Sequence, residues 1–472
     1  RERFKAEVRA MRAWTYLGMT MTFGKVPLIT EVLDYNSPNI PRDEVSVIRD
    51  FIMKELTEAA AILPEKYAGG YPNEKGRITK YACLSLKARA ALYFGDYALA
   101  ESTAKEVMDK GGFSLFKISS LSDAQKKEAE EMSLYIDFAE KGIDKDEFVK
   151  GMFNYEALWH TENANPDNPE YIMTRQYAAS SWDYQDMTRY TSMRPNQLGG
   201  WSSVTPTQNL VDAYWGVDGH SVPQLPTPEE RAKAYNQIKA DLDAYQKPEG
   251  EAKFIAFCQE KIKNGTLKDY KYIQEFRNRD SRMYVSILMP FKSWYESNYG
   301  DKFVYEWIKN GNNESKTGFN FRKMLSLEND ANGDGQATGD YPCIRYAEIL
   351  LIYAEAHTQT TGYDAATEAA LNQLRDRCGM PDVPSGLSKE EGLKLIQNER
   401  RIELAGEGFR GDDMTRYSDD YWKEHMNNVP IMTPDGDTEL TMKWSSRMRL
   451  KPIPQTAIDL NPLLAGDQNP GY

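Results

Sequence analysis

Apolar positions recur with helical spacing at both ends of the chain and lose that spacing in the middle. Residues 3–22 carry Phe4, Val8, Met11, Trp14 or Thr15, and Gly18 along one face, and the pattern stops at Phe23-Gly24 with Pro27 beyond. A second helix is predicted from about Arg42 to Ile62, with Val45, Ile48, Ile52, Leu56 and Ala59 in step and Pro64 ending it. A third, Thr79–Phe94, presents Tyr81, Leu84, Ala88 and Ala91; Gly95-Asp96 breaks it, and Asp96 caps a fourth over Tyr97–Lys110. Near the other end, Arg345–Gln359 and Ala365–Cys378 flank the turn at Gly362-Tyr363-Asp364. Ser388 and Glu391 then form an S-x-x-E capping box opening a helix to about Glu407. Small residues (Ala82, Cys83, Ala88, Ala90, Ala91) let the paired helices approach closely, the helix–turn–helix economy of a tetratricopeptide-like repeat.

Between these ends the pattern changes. Helices are predicted over Asp123–Glu140, Pro228–Tyr245 and Ala252–Asn264, but long stretches are Pro, Gly, Asn and aromatic with no period. The expected fold is all-α dominated: a tetratricopeptide-like helical-hairpin scaffold with a long, loop-rich irregular insertion. It is read as a single domain over 1–472, with helical parts at about 1–112 and 342–410, the ligand-facing insertion at about 113–341 and a C-terminal segment at 411–472. Loops held by a rigid scaffold are where binding residues are expected.

Charge narrows the partners. Lys and Arg number 58 against 71 Asp and Glu, a net charge of −13, and no basic run offsets it, so nucleic acid is excluded as a partner. No apolar run approaches the ~20 residues that span a bilayer. Cys83, Cys258, Cys343 and Cys378 form no CxxC pair, and buried free thiols are expected.

Motifs for catalysis are absent: no GxSxG, HExxH or GxGxxG occurs, and Gly18 to Lys25 misses a phosphate loop by one residue. Glu399 and Glu403, at i,i+4 and interleaved with Arg400 and Arg401, read as members of intrahelical or helix–helix ion pairs rather than a glycosidase pair. Asp330, Asn332 and Asp334, followed by Gly335, match the front half of a Ca²⁺ loop. Its twelfth position is Tyr341 instead of a bidentate Glu, and a plain Asn/Asp/Gly turn gives the same letters. No cofactor is required, and Ca²⁺ is the one ion the sequence raises.

Aromatic residues make up 12% of the chain, with Tyr leading at 29, and they cluster in the insertion. Trp182, Tyr184, Trp201, Trp294 and Tyr295 are candidate platforms, with Arg194 and Asn196 as polar partners. A pyranose offers one C–H face to such a ring and an equatorial rim of hydroxyls to Asn, Asp, Gln and Arg.

Several segments together resemble the SusD/RagB family of outer-membrane nutrient-binding lipoproteins of the Bacteroidetes. They are Arg12–Tyr16 with Phe23–Leu28, Gly76–Lys80 leading to Leu92–Tyr97, Arg279–Met283, Ile344–Ala356, Leu374–Gly379, Glu399–Arg410, Leu450–Pro454 and Gln468–Tyr472. The resemblance implies a non-catalytic, surface-exposed protein that captures oligosaccharides and passes them to a SusC-like TonB-dependent transporter. It implies an outward-facing outer-membrane lipoprotein, anchored through an N-terminal lipid on a segment expected to precede residue 1. Peptide capture in the RagB manner and a glycoside hydrolase on the same scaffold are the rival functions.

Overall fold

The computed structural model describes residues 1–34, 39–68, 74–160, 162–177, 195–295, 303–325 and 339–472. The periodic segments pair into hairpins: α1 (Glu2–Phe23) with α2 (Val45–Ile62), α3 (Lys80–Tyr93) with α4 (Tyr97–Lys110), and α5 (Tyr346–Thr360) with α6 (Ala365–Arg377) and α7 (Lys389–Glu403). Their starts follow the capping residues. Thr79 accepts from the Ala82 amide, Asp96 from Leu99, Asp364 from Ala366, and Ser388 and Glu391 close the capping box. The α5 helix packs on α4 as though the two were consecutive, so the chain leaves the stack after Lys110 and re-enters it at Tyr346. Ala347, Leu350, Leu351 and Ala354 of α5 are all buried; hydrophobic nearly all round, it forms the centre of the scaffold.

One face is reversed. Phe4, Val8 and Met11, the apolar stripe of α1, are exposed, whereas Ala6, Ala10, Ala13 and Leu17 are buried against α2. Alanine permits the close backbone approach that bulky residues would prevent.

A short ladder closes the base of the insertion. Strand β1 (Tyr171–Arg175) runs antiparallel to β2 (Tyr341–Arg345), pairing Tyr171 with Arg345 immediately before α5. The insertion has its own core, including Phe148, Met152, Tyr284, Trp294 and Tyr305, which meets the scaffold at Cys378, Met380 and Ile402. A helix at Lys145–Ala157 lies inside this core, and the helix expected over Asp123–Glu140 stops at Glu131. Past α7, α8 (Phe409–Arg416) and α9 (Asp419–Met426) lead to a hairpin of β3 (Pro430–Met432) and β4 (Thr438–Thr441). Cys83, Cys258 and Cys378 are buried free thiols, and Cys343 is half-buried.

Insertion and scaffold are joined by a buried ionic network. Arg282 of the insertion lies 2.7 Å from Glu399 and 3.0 Å from Glu403, and pairs with Asp280 at 2.8 Å. Arg345 reaches Glu403 and Glu407 at 2.7 Å and Glu170 at 2.8 Å, while Arg377 pairs with Glu403 and Arg375 with Glu399. Glu399 and Glu403 are therefore ion-pair residues, but their partners come from other elements rather than from Arg400 and Arg401.

His357 on α5 sits between Glu101 of α4, at 2.8 Å, and Asp364, at 3.1 Å. Burial alone would lower its pKa, but hydrogen bonds to both carboxylates raise it above the ordinary 6.5. A raised pKa contributes stability fully present below the unfolded value and lost as pH rises through the folded one. The melting-temperature advantage of the native chain over His357→Gln is expected to be full below about pH 6 and to shrink as pH rises past the ordinary 6.5. An advantage independent of pH would refute the assignment.

Candidate functional site

Trp182, Tyr184 and Arg194, and the Ca²⁺-loop residues Asp330, Asn332 and Asp334, lie outside the described residues. The last two positions of that twelve-residue pattern are engaged with protein: the Asp340 carboxylate accepts from the Tyr177 amide at 3.2 Å, and the Tyr341 hydroxyl donates to the Glu407 carbonyl at 2.9 Å. Among the described residues no cluster of His, Cys, Asp and Glu has the arrangement of a metal site.

Trp294 is corrected. It is 1% exposed, its ring meets Phe303 edge-to-face at 6.3 Å, and the Arg322 guanidinium covers it at 4.9 Å. A ring sealed on both sides has no face to offer a ligand, so Trp294 is a core residue. Tyr295 is half-buried, with its hydroxyl donated to Glu131 at 2.5 Å. Two further aromatics of the insertion, Tyr214 and Trp215, also turn inward, Tyr214 fully buried and Trp215 donating to Glu399 at 3.2 Å.

Trp201 is 50% exposed. It ends a compact turn in which Leu198 is buried as an anchor and Gly199 takes φ +77°, with Asn196 exposed at the turn's start. Gln197 fixes the turn to the neighbouring loop by accepting from the Glu306 amide at 3.0 Å.

Three residues beyond Trp201, Val204 begins one wall of a groove of about 570 Å³. Residues 204–210 face the 404–411 turn across it, with Met426 and Met442 closing one side. The turn exists because α7 ends at Glu403 and the backbone passes through left-handed Gly406 (φ +79°) and Gly408 (φ +89°). It then enters α8 with no side-chain cap, and Cβ atoms on Gly408 or Gly411 would meet nothing within 4 Å.

Much of the groove's lining is apolar, as at Leu210, Phe321, Phe409 and Met442, and among its charged groups three arginines face two acids. Arg401 donates to the Asn209 carbonyl at 2.9 Å and its side-chain oxygen at 2.6 Å; Arg410 donates to the Tyr421 hydroxyl at 2.9 Å. Among the described residues neither arginine has a carboxylate partner, whereas the groove's two acids are occupied: Glu407 by Arg345 and Lys323, Asp413 by Arg400 and Arg416. Burial, reinforced by the Arg410 charge, pushes Arg401 down to about 10. Burial and the same two arginines also hold His425 below its ordinary value, although its bond to the Tyr421 carbonyl opposes them.

A smaller cleft, of about 190 Å³, lies between Gln208, Asp212, Arg231, Glu275 and the C-terminal hairpin. Its charges satisfy one another, Arg231 pairing with Asp212 at 2.8 Å and Glu275 at 2.7 Å.

The sequence marked Trp201 and Asn196 but not Arg401 or Arg410, which sit in a stretch read as scaffold. A partial signal existed at Arg401, whose i±3 and i±4 neighbours (Gln397, Asn398, Leu404, Ala405) include no acid.

A stack of helical hairpins interrupted once by a long loop-rich insertion defines a helical-repeat scaffold protein. The particular family follows from comparison: the SusD family model, which also covers RagB, matches residues 169–472, and the chain belongs to the SusD family. SusD-like protein P38 of Formosa agariphila is 22% identical over 88% of this chain, which spans 66% of that relative's length. A SusD-like protein from Bacteroides fragilis superposes over 100% of this chain and 80% of its own with a TM-score of 0.71 at 25% identity. A SusD-like carbohydrate-binding protein from the same organism covers 98% of this chain and 79% of its own with a TM-score of 0.64 at 22% identity, a likeness of fold.

Proposed function

We propose that this chain captures oligosaccharides at the cell surface without altering them, for delivery to a SusC-like TonB-dependent transporter in the outer membrane. The observation that carries the reading is the half-exposed Trp201, three residues before Val204 at the edge of an open groove whose largely apolar lining also carries Arg400, Arg401 and Arg410. One pyranose face against that ring buries on the order of 100 Å² of apolar surface, about 2–3 kcal/mol before ordering costs, an affinity suited to capture and release. Family membership and the likeness to a carbohydrate-binding SusD-like protein of B. fragilis support the same reading. No described helix is long and apolar enough to cross a membrane; the lipid anchor belongs to the proposal on the strength of the family resemblance alone.

Capture without chemistry fits the groove's two carboxylates. A glycosidase needs an acid held protonated near neutrality. Burial alone would raise Glu407 and Asp413, but Arg345 with Lys323, and Arg400 with Arg416, hold both below the ordinary carboxylate range. They are ionised counter-ions rather than proton donors.

Calorimetric titration against a panel of polysaccharides tests the proposal. Binding of at least one glycan is expected, weakened about tenfold or more by Trp201→Ala. Trp294→Ala should instead lower thermal stability and leave the affinity of the folded fraction unchanged. Heat with peptides but no glycan would move the reading to RagB-like peptide capture, and hydrolysis products after incubation would restore the enzyme.

A further inference from the structure

We infer that the groove between residues 204–210 and 404–411 is a subsite for an anionic group, a carboxylate or sulfate ester, carried by the captured saccharide. The inference rests on the capture reading and adds the ligand's chemical class. In a chain of net charge −13, a wall that concentrates cations needs a reason. Three arginines line the groove against two acids, and both acids also serve cations outside it: Arg345 and Lys323 for Glu407, Arg416 for Asp413. The surplus positive charge falls on Arg401 and Arg410, which have no carboxylate among the described residues and face the same space. A half-buried cation beside a second cation is costly to keep without a counter-ion, and a ligand anion supplies one. Guanidinium groups present paired N–H donors in a fork that fits carboxylate and sulfate oxygens, a geometry lysine lacks.

Two further features lie at the same groove. Arg400, only 3% exposed, has its Nη1 without a hydrogen-bond partner while its other nitrogens serve Asp413 and approach Glu348. The α8 helix begins at the groove from a glycine N-cap with no side-chain cap, so its first amides add partial positive charge there. Because Gly408 and Gly411 carry no side chains, a ligand can reach that backbone. Trp201, three residues from the rim, would hold a sugar ring while the arginines take its charge.

The test is calorimetry on the purified chain with one neutral polysaccharide, laminarin, and two anionic ones, polygalacturonate for carboxylate and carrageenan for sulfate ester. At least one anionic polymer is expected to bind about tenfold or more tighter than laminarin, with that preference lost between about 50 mM and 500 mM salt. The tighter of the two identifies the anion. Since the chain as a whole repels polyanions, such binding requires a local cationic site. Arg410→Gln and Arg401→Gln should each remove most of the preference for the polyanion over laminarin. If Arg401→Gln melts early through loss of its Asn209 contacts, Arg410→Gln and the salt dependence decide. Laminarin bound as tightly as either polyanion, or a preference that survives Arg410→Gln, overturns the anionic subsite while leaving capture standing. Binding to none of the three and to no other glycan overturns both.

Discussion

Replacing Glu403 by Gln is expected to destabilise the chain by about 3–5 kcal/mol, the loss typical of breaking a buried ion pair from one side. Glu403 is fully buried and is the shared counter-ion of Arg282, Arg345 and Arg377. The network around it balances Asp280, Glu170, Glu399, Glu403 and Glu407 against Arg282, Arg345, Arg375, Arg377 and Lys323. Glutamine keeps the shape and removes the charge, leaving one positive charge uncompensated where water cannot screen it. The measurement is urea unfolding of both proteins, and a difference below about 1 kcal/mol would refute the claim. A second change, Arg377→Met, made in the Glu403→Gln background should recover part of the loss, because it restores neutrality. The same network sets the acid limit. Burial would raise Glu399, but Arg282 and Arg375 hold it at about 2, below the ordinary 4.5. A depressed pKa gives stability that is complete above the unfolded value and is lost as pH falls through the folded one, so unfolding is expected between about pH 5 and pH 2.

Gly151→Ala is expected to be similarly damaging, at about 3 kcal/mol or more, for a steric reason. The insertion helix Lys145–Ala157 crosses the end of α6 with backbone against backbone: a Cβ on Gly151 would lie 2.1 Å from the Cys378 carbonyl carbon and the Gly379 nitrogen. Gly379 is the reciprocal case, at φ +64° with a Cβ position 2.3 Å from the Glu147 carbonyl oxygen. No rotamer change relieves contact with main chain, so the helix must move, and its core contacts with it. Gly18→Ala is the control. That glycine lies within α1 with open space around it, and alanine there should stabilise by up to about 1 kcal/mol. Unfolding curves that rank Gly151→Ala no worse than Gly18→Ala would remove the interlocking contact from the account.

The helices at the two ends were legible because their causes are local: period, caps at Thr79, Asp96, Asp364 and Ser388, and turns at Gly95 and Gly362. The helix at Lys145–Ala157 was not, since a helix buried on most sides shows no alternation of polar and apolar faces. The α1 stripe shows the converse error. Phe4, Val8 and Met11 mark an apolar face correctly, but which face is covered depends on the neighbour, and α2 covers the alanines.

The candidate site divides in the same way. Trp201 follows two glycines in a loop, and its exposure could be anticipated; Trp294 occurs in equally irregular sequence, and only Phe303 and Arg322 packing on it make it core. Arg400, Arg401 and Arg410 are alike as letters. By itself the sequence determined the hairpins, the single interruption and the family, because periodicity, caps and turns act over a few residues. Which aromatic rings reach solvent and which arginines lack a counter-ion was decided by the tertiary structure, because accessibility and charge compensation depend on groups brought together from distant parts of the chain.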